Sequence, residues 1–281
     1  MTQSYTPPLR LLQHLVVLCV LLAIPVIAGA QRVPLEPQSV QSGLEGNAVI
    51  DPDGAEFTFA RLIYGGNQFD RGYMGRGRWT TDWPEAEHFF MQGISRLTRV
   101  DATPVSIYDG EGGKRIKLEE GMVFDYPWLY AVEVGYWTLS PDEARILREY
   151  LLKGGFLMVD DFHGTQEWSG FVATMQKVFP DRPIVDIPQD DAVFHVLYDL
   201  DEKVQVPGLA SLYNGVTYER DGYEAYWRGI YDDDGRLVVA INHNVDLGDA
   251  WEHADTPGYP EPMTALAYRF AVNYVIYALT H

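Results

Sequence analysis

LREYLLKGGFLMVDDFHG, residues 147–164, carries the strongest statement the chain makes about its own architecture. It passes from the end of a helical pattern through Gly154-Gly155 into four uninterrupted apolar residues, Phe156 to Val159, and then into Asp160-Asp161-Phe162-His163-Gly164. A short, wholly apolar run belongs to a strand buried on both faces of a parallel sheet. Just upstream, Ser140-Pro141-Asp142-Glu143 predicts a helix start: Ser at the N-cap, proline in the first turn and Glu three residues past the cap. Ala144, Leu147 and Leu151 give that helix a buried stripe, and the two glycines stop it. Downstream, Phe171, Val172, Met175, Val178 and Phe179 share one side of a second helix.

Further out, apolar runs at Phe57 to Tyr64, Val105 to Tyr108, Leu129 to Val134 and Pro183 to Ile187 predict strands. Between the first two, a helix begins near Asp82, with Asp82 as N-cap, Glu85 three residues on, and Ala86, Phe89, Phe90 and Leu97 as its buried stripe. Tyr223 to Tyr231 and Leu237 to Asn242 flank Asp232-Asp233-Asp234-Gly235, an Asp-Gly hairpin turn. A largely apolar helix, Thr264 to Leu279, closes the chain, packed on the sheet or covered by a partner. Strands alternating with helices predict a three-layer α/β/α domain of flavodoxin-like type, with a mostly parallel sheet and a β-hairpin near the C-terminus.

The 281 residues carry 21 Lys+Arg against 40 Asp+Glu, a formal charge of −19, and 47% are hydrophobic. That composition is globular. Its acidity argues against nucleic acid or an anionic membrane surface as partner, since both would repel the protein's field. Residues 1–30 read as a signal peptide: Arg10, the apolar run Leu15 to Ile24, and the small-residue site Ala28-Gly29-Ala30. Cleavage after Ala30 exports the chain to the periplasm or beyond; the alternative is an uncleaved membrane anchor. Cys19, the only cysteine, falls in this segment, with no small residue before it to make a lipid anchor. The mature chain then has no disulfide and no thiol nucleophile. Residues 31–55, rich in Pro, Gln, Gly and Ser, read as an extended leader, and 56–281 as a single domain.

Open parallel sheets bind ligands beyond the carboxyl ends of their strands. Asp160, Asp161 and His163 follow one strand; His243, Asp246, Asp249, Trp251, Glu252 and His253 follow another. The functional reading is a general acid/base pair, Asp161 with His163 or His243, or a divalent-cation site using Asp160, Asp161, Asp246 and Asp249. The plain structural reading is that the aspartates cap helices and His163 bonds backbone in a turn. Trp79, Trp83, Trp168 and Trp251 lie in or beside these polar loops, where rings suit stacking on sugars or simply roof the loops. Arg71, Arg76 and Arg78 could clamp an anion, pair with the acidic rim, or face solvent. Asp232 to Asp234 read as a solvated turn, and Asn242-x-Asn244-x-Asp246 fails as an EF-hand loop because Leu247 replaces its glycine.

RLIYGG, TDWPEAEHFF, GGFLMVDDFHG, DLGDAWE and NYVIYALTH, in this order over residues 57 to 281, resemble the domain of unknown function 4159 family of bacterial proteins. The helix-GG-strand-elbow segment, followed by GRLVVAINHN, is also similar to the class I glutamine amidotransferase-like fold, including its trehalose-utilisation-like branch. That resemblance implies the fold but not the chemistry. Such amidotransferases place Cys at the elbow and a His two residues before an acid; here the elbow is Asp161-Phe162-His163, and Val245 stands two residues after His243. Two functions remain: an envelope module binding a small molecule, glycan or protein partner, or a hydrolase of a carbohydrate or amide acting through Asp161, His163 and His243. Between Asp181 and Asp255, 17 acidic and 5 basic residues concentrate a charge of −12 next to this rim.

Overall fold

The computed structural model describes residues 54–66 and 77–281. Residues 1–30, read above as a signal peptide, nearly all of residues 31–55, Arg71 and Arg76 lie outside the described residues. Among the described residues nine strands form: β1 (Ala60–Leu62), β2 (Gly65–Gly66), β3 (Lys114–Ile116), β4 (Trp128–Val132), β5 (Trp137–Thr138), β6 (Phe156–Phe162), β7 (Val185–Asp186), β8 (Tyr226–Tyr231) and β9 (Leu237–His243). The helices are α1 (Glu85–Leu97), α2 (Pro141–Leu152), α3 (Gly164–Val178), α4 (Leu209–Tyr213), α5 (Leu247–Glu252) and α6 (Glu261–Thr280).

The run Phe156 to Val159 becomes the middle of the sheet. β6 is buried along its whole length and pairs in parallel with β4 on one side and β9 on the other. Strand order is β3-β1-β4-β6-β9-β8-β7, with β8 and β7 joined antiparallel. Taken in chain order, the five parallel strands run 2-1-3-4-5, the doubly wound arrangement whose direction reverses between β1 and β4. Side chains alternate accordingly: Trp128, Tyr130 and Val132 face the layer containing α1, α5 and α6, while Leu129 and Ala131 face α2 and α3. β2 and β5 make a separate two-stranded ladder.

Ser140 and Glu143 form the expected capping box at the start of α2, and Gly154 stops the chain's helical course at a φ of 109°. The hairpin also forms as expected, with Gly235 at φ 80° and the Asp232 side chain accepting from the amides of Asp234 and Arg236. α6 packs on the sheet through Phe270, Ala271, Tyr274 and Val275. No described helix is long and apolar enough to cross a membrane.

Three expectations change. Val105 to Tyr108 is a loop and turn, with the Ser106 amide bonded to Glu111 and the Gly110 amide to Ser106; the strand in this region is β3. An edge strand buries little, so Lys114-Arg115-Ile116 carries no apolar signature. Asp82 does not cap α1: the helix starts after Pro84, and Asp82 sits in a left-handed turn at φ 60° with its side chain free to point elsewhere. Met91 and Ile94 complete the buried face of α1, while Leu97 is exposed and Phe89 only half-buried.

Candidate functional site at the carboxyl end of the sheet

The reversal point between β1 and β4 brings the ends of β4, β6 and β9 together with the loop that precedes α1. Arg61, in the middle of β1, builds the near wall. Its guanidinium forks onto the Glu87 carboxylate, with Nη2 to Oε2 at 2.8 Å, and donates to the carbonyls of Trp79 at 3.0 Å and Thr81 at 2.8 Å. It also lies 5.0 Å over the Tyr130 ring. This pair fixes the loop that delivers Asp82. The signal for it was a lone charge inside the apolar run Phe57 to Tyr64; its partner on α1 could not be read.

Asp160 turns out to be an internal cap. Its Oδ2 accepts from the amides of Leu247 at 2.8 Å and Gly248 at 3.0 Å, the first turn of α5, and from the Tyr130 hydroxyl at 3.4 Å. Burial raises its pKa to about 7 against the pull of those amides. Asp161, the next residue, occupies φ 50°, a left-handed conformation that costs a non-glycine residue roughly 1 kcal/mol or more. β6 slips register against β9 at this point. Its carboxyl is pushed well up by burial and then by Asp246, Glu133, Asp82 and Asp249.

Asp246 caps α5 by accepting from the Asp249 amide at 2.8 Å, and Asp249 accepts from the Leu209 amide at 2.6 Å. Asp82 joins them: carboxylate oxygens of Asp82, Asp246 and Asp249 all lie within 4.8 Å of one another. Burial, then mutual repulsion, raises Asp82 and Asp246 well above the ordinary carboxylate range. Glu252 shares a hydrogen bond with Asp82 and is raised in the same way. The loop after β7 roofs this group, tied down by Val206 O to the Asp246 amide and by the Tyr259 hydroxyl to Pro207 O.

The two histidines stand on the far side of Asp161. His163 Nε2 is 3.1 Å from Asp161 Oδ1, and its amide donates to Glu167. His243 donates from Nε2 to the Gly164 carbonyl at 3.1 Å, and its ring lies among Tyr226, Trp168 and Phe162. Asp161 and His163 are thus in contact, while the hydrogen bond of His243 goes to backbone. Burial lowers His163 to about 3, helped by His243 and Arg220, and lowers His243 to about 4.

Those depressed values have a sign. Above pH 6.5 each imidazole is neutral whether folded or unfolded, so neither affects stability. As pH falls below 6.5, the unfolded chain takes up protons that the folded chain refuses, and stability drops until about pH 4 for His243 and about pH 3 for His163. For His243 this amounts to roughly 2–3 kcal/mol between pH 7.5 and 4.5. His243→Phe keeps the ring and cannot ionise, so urea denaturation at those two pH values should show a flatter dependence than wild type. Equal slopes in the two proteins would remove His243 from the account.

The predicted aromatic residues divide. Trp251 is wholly buried, 4.6 Å from Phe90 and 5.7 Å from Tyr130, because α5 turns it into the core. Trp83 sits beneath the Arg115 guanidinium on the β3 side, and Trp79 packs half-buried on the α2/α3 layer. The most exposed rings among the described residues are three tyrosines that the sequence reading did not take as site aromatics: Tyr108 at 94%, Tyr213 on α4 at 72% and Tyr223 at 65%. Arg78 pairs with Glu133 at 2.7 Å and lies 4.3 Å over Tyr136, so it serves the acidic rim. A separate cavity of about 660 Å³ lies at the amino end of the strands, lined largely by apolar residues including Tyr126, Tyr150, Ile276 and Leu279; no predicted site residue reaches it.

No curated protein matches this sequence. A family model for a domain of unknown function (DUF4159) matches residues 58–279, from β1's approach to the last turn of α6, and the chain therefore belongs to that family.

Proposed function

We propose that the protein is an exported module of the bacterial cell envelope that binds a glycan at the carboxyl end of its sheet. The observation that carries this reading is the exposure of Tyr213 and Tyr223 in the segment that starts at Gly208, against Asp246 and Asp249. Tyr223 precedes Glu224, whose carbonyl accepts from Asn244 at the end of β9, and α4 is anchored to Asp249 through Leu209. Sugars stack their apolar faces on such rings and direct hydroxyls to nearby carboxylates such as Glu219 and Glu224. Arg10, the run Leu15 to Ile24 and Ala28-Gly29-Ala30 support export.

Hydrolysis of a carbohydrate or amide is the second reading. It is favoured by the Asp161–His163 contact on a strained elbow, the position held by the nucleophile in amidotransferase-like domains. Against it, the His243 Nε2 is committed to Gly164, so no three-membered relay is formed. Calorimetric titration of residues 31–281 with envelope oligosaccharides distinguishes the two. Binding without turnover, weakened at least tenfold by Tyr223→Ala or Tyr213→Ala, is the expected result. Turnover abolished by Asp161→Asn would favour the hydrolase, and no binding by any glycan would end the glycan reading.

A further inference from the structure

We propose that the cavity at the amino end of the sheet binds a single-chain fatty acid, with its hydrocarbon inside the cavity and its carboxylate on Lys153. Four separate parts of the fold supply the walls: Val100 after α1, Pro127 before β4, Tyr150 on α2, and Ile276, Ala278 and Leu279 in the last turns of α6. They enclose about 660 Å³. Binding cavities for small molecules span about 300–1,000 Å³ and are mostly apolar, with a few polar groups that orient the ligand. A hydrocarbon chain laid against such walls takes apolar surface on both sides out of water.

The wall at Tyr150 is set by the fold itself. Its hydroxyl donates to the Phe156 carbonyl at 3.2 Å and accepts from the Phe156 amide at 3.3 Å, so its polar end is spent on the first residue of β6. Its ring lies against Gly155, where a Cβ would stand 2.4 Å from the ring carbons. The glycine pair that stops α2 therefore also seats this ring. Phe124 meets the ring edge-on at a centroid distance of 6.3 Å and is 40% exposed, at the mouth of the cavity.

Lys153, at the end of α2, provides the contact for the head group. Its Nζ stands 5.5 Å from the centre of the Phe124 ring, and its side chain is 63% exposed, so the ammonium sits where the cavity opens to water. Among the described residues lining the cavity it is the sole Lys or Arg. The acid and the histidine beside it are engaged locally: Glu56 accepts from the Asp101 amide at 2.9 Å, and His281 Nδ1 lies 2.9 Å from the Thr280 hydroxyl. Lys153 itself pairs with Glu149 at 2.7 Å. An exposed pair of this kind holds weakly, and a ligand carboxylate can accept another of the ammonium protons. A carboxylate thus complements the mouth as hydrocarbon complements the walls. The site lies at the opposite end of the strands from the acidic rim and does not rest on the glycan reading.

The test titrates the full chain by calorimetry with octanoate, decanoate and dodecanoate, and with dodecanol and dodecyl phosphate for comparison, each below the concentration at which it aggregates. We expect one dodecanoate per chain, with affinity rising about fourfold per methylene from octanoate upward. Dodecanoate should be preferred over dodecanol by roughly tenfold. Lys153→Met keeps the aliphatic stem and should abolish that preference while leaving dodecanol binding as it was. Leu279→Trp fills the cavity and should weaken both ligands by roughly tenfold or more. Val100→Trp, from a different wall, takes its place if Leu279→Trp melts early. No binding below the aggregation concentration, affinity that does not grow with chain length, or binding unaltered in Lys153→Met and in the tryptophan variant overturns the proposal. Dodecyl phosphate bound more tightly than dodecanoate overturns the carboxylate as head group. No sugar is present and the acidic rim is untouched, so failure here leaves the glycan reading standing, and glycan failure leaves the fatty acid.

Discussion

Glu87→Ala should destabilise the protein by about 3–5 kcal/mol, the cost of leaving a buried charge without its partner. Arg61 and Glu87 are 1% and 2% exposed, and the guanidinium cannot shed its proton to escape. Its remaining acceptors, Trp79 O and Thr81 O, are neutral carbonyls that hold only part of the charge. The pair itself adds little net stability, because both groups were stripped of water to form it. Arg61→Met combined with Glu87→Leu should therefore recover most of what either single change loses. Urea denaturation of the two single variants and the double variant gives the coupling directly. A loss below about 1 kcal/mol for Glu87→Ala would mean that water reaches Arg61 after all.

The second large effect is expected at Asp160. Asp160→Ala leaves the amides of Leu247 and Gly248 buried and unpaired, at roughly 1–3 kcal/mol each. Asp160→Asn keeps an acceptor in the same place and should cost much less. Amide hydrogen exchange at Leu247 and Gly248 would separate this structural role from a catalytic one. Faster exchange in the alanine variant, with slow exchange kept in the asparagine variant, is the expected pattern. Equal stability of the two variants would show that the carboxylate is not what holds α5.

The sequence displayed the middle of this fold more clearly than its rim. Phe156 to Val159 reads as a buried strand because nothing polar interrupts it, and Ser140 to Glu143 reads as a helix start because Ser140 and Glu143 each accept from the other's amide and Pro141 has none to satisfy. The rim depends on pairings across long stretches of chain. Asp82 meets Asp246 and Asp249 only because Arg61 and Glu87 meet first, and no local pattern encodes that meeting. Trp251 looked like a loop aromatic beside acids; α5 is so short that its one buried face carries the ring into the core. Asp160 and Asp161 are chemically identical neighbours, yet a change of backbone hand at φ 50° sends one to α5 and the other to His163. Alternation along a strand predicts that they diverge, but not what each will find.

The two outermost strands, three residues in β3 and two in β7, also matter for how copies of this protein behave in company. A sheet edge is an open row of amides and carbonyls on which another chain can nucleate. Here one edge is brief and carries Lys114 and Arg115, and the other is briefer still and bears Asp186, which pairs with Arg228. Neither offers enough backbone for a foreign strand to register. Edges that end almost as soon as they begin leave a sheet with so apolar a central strand little backbone on which a second copy could pair.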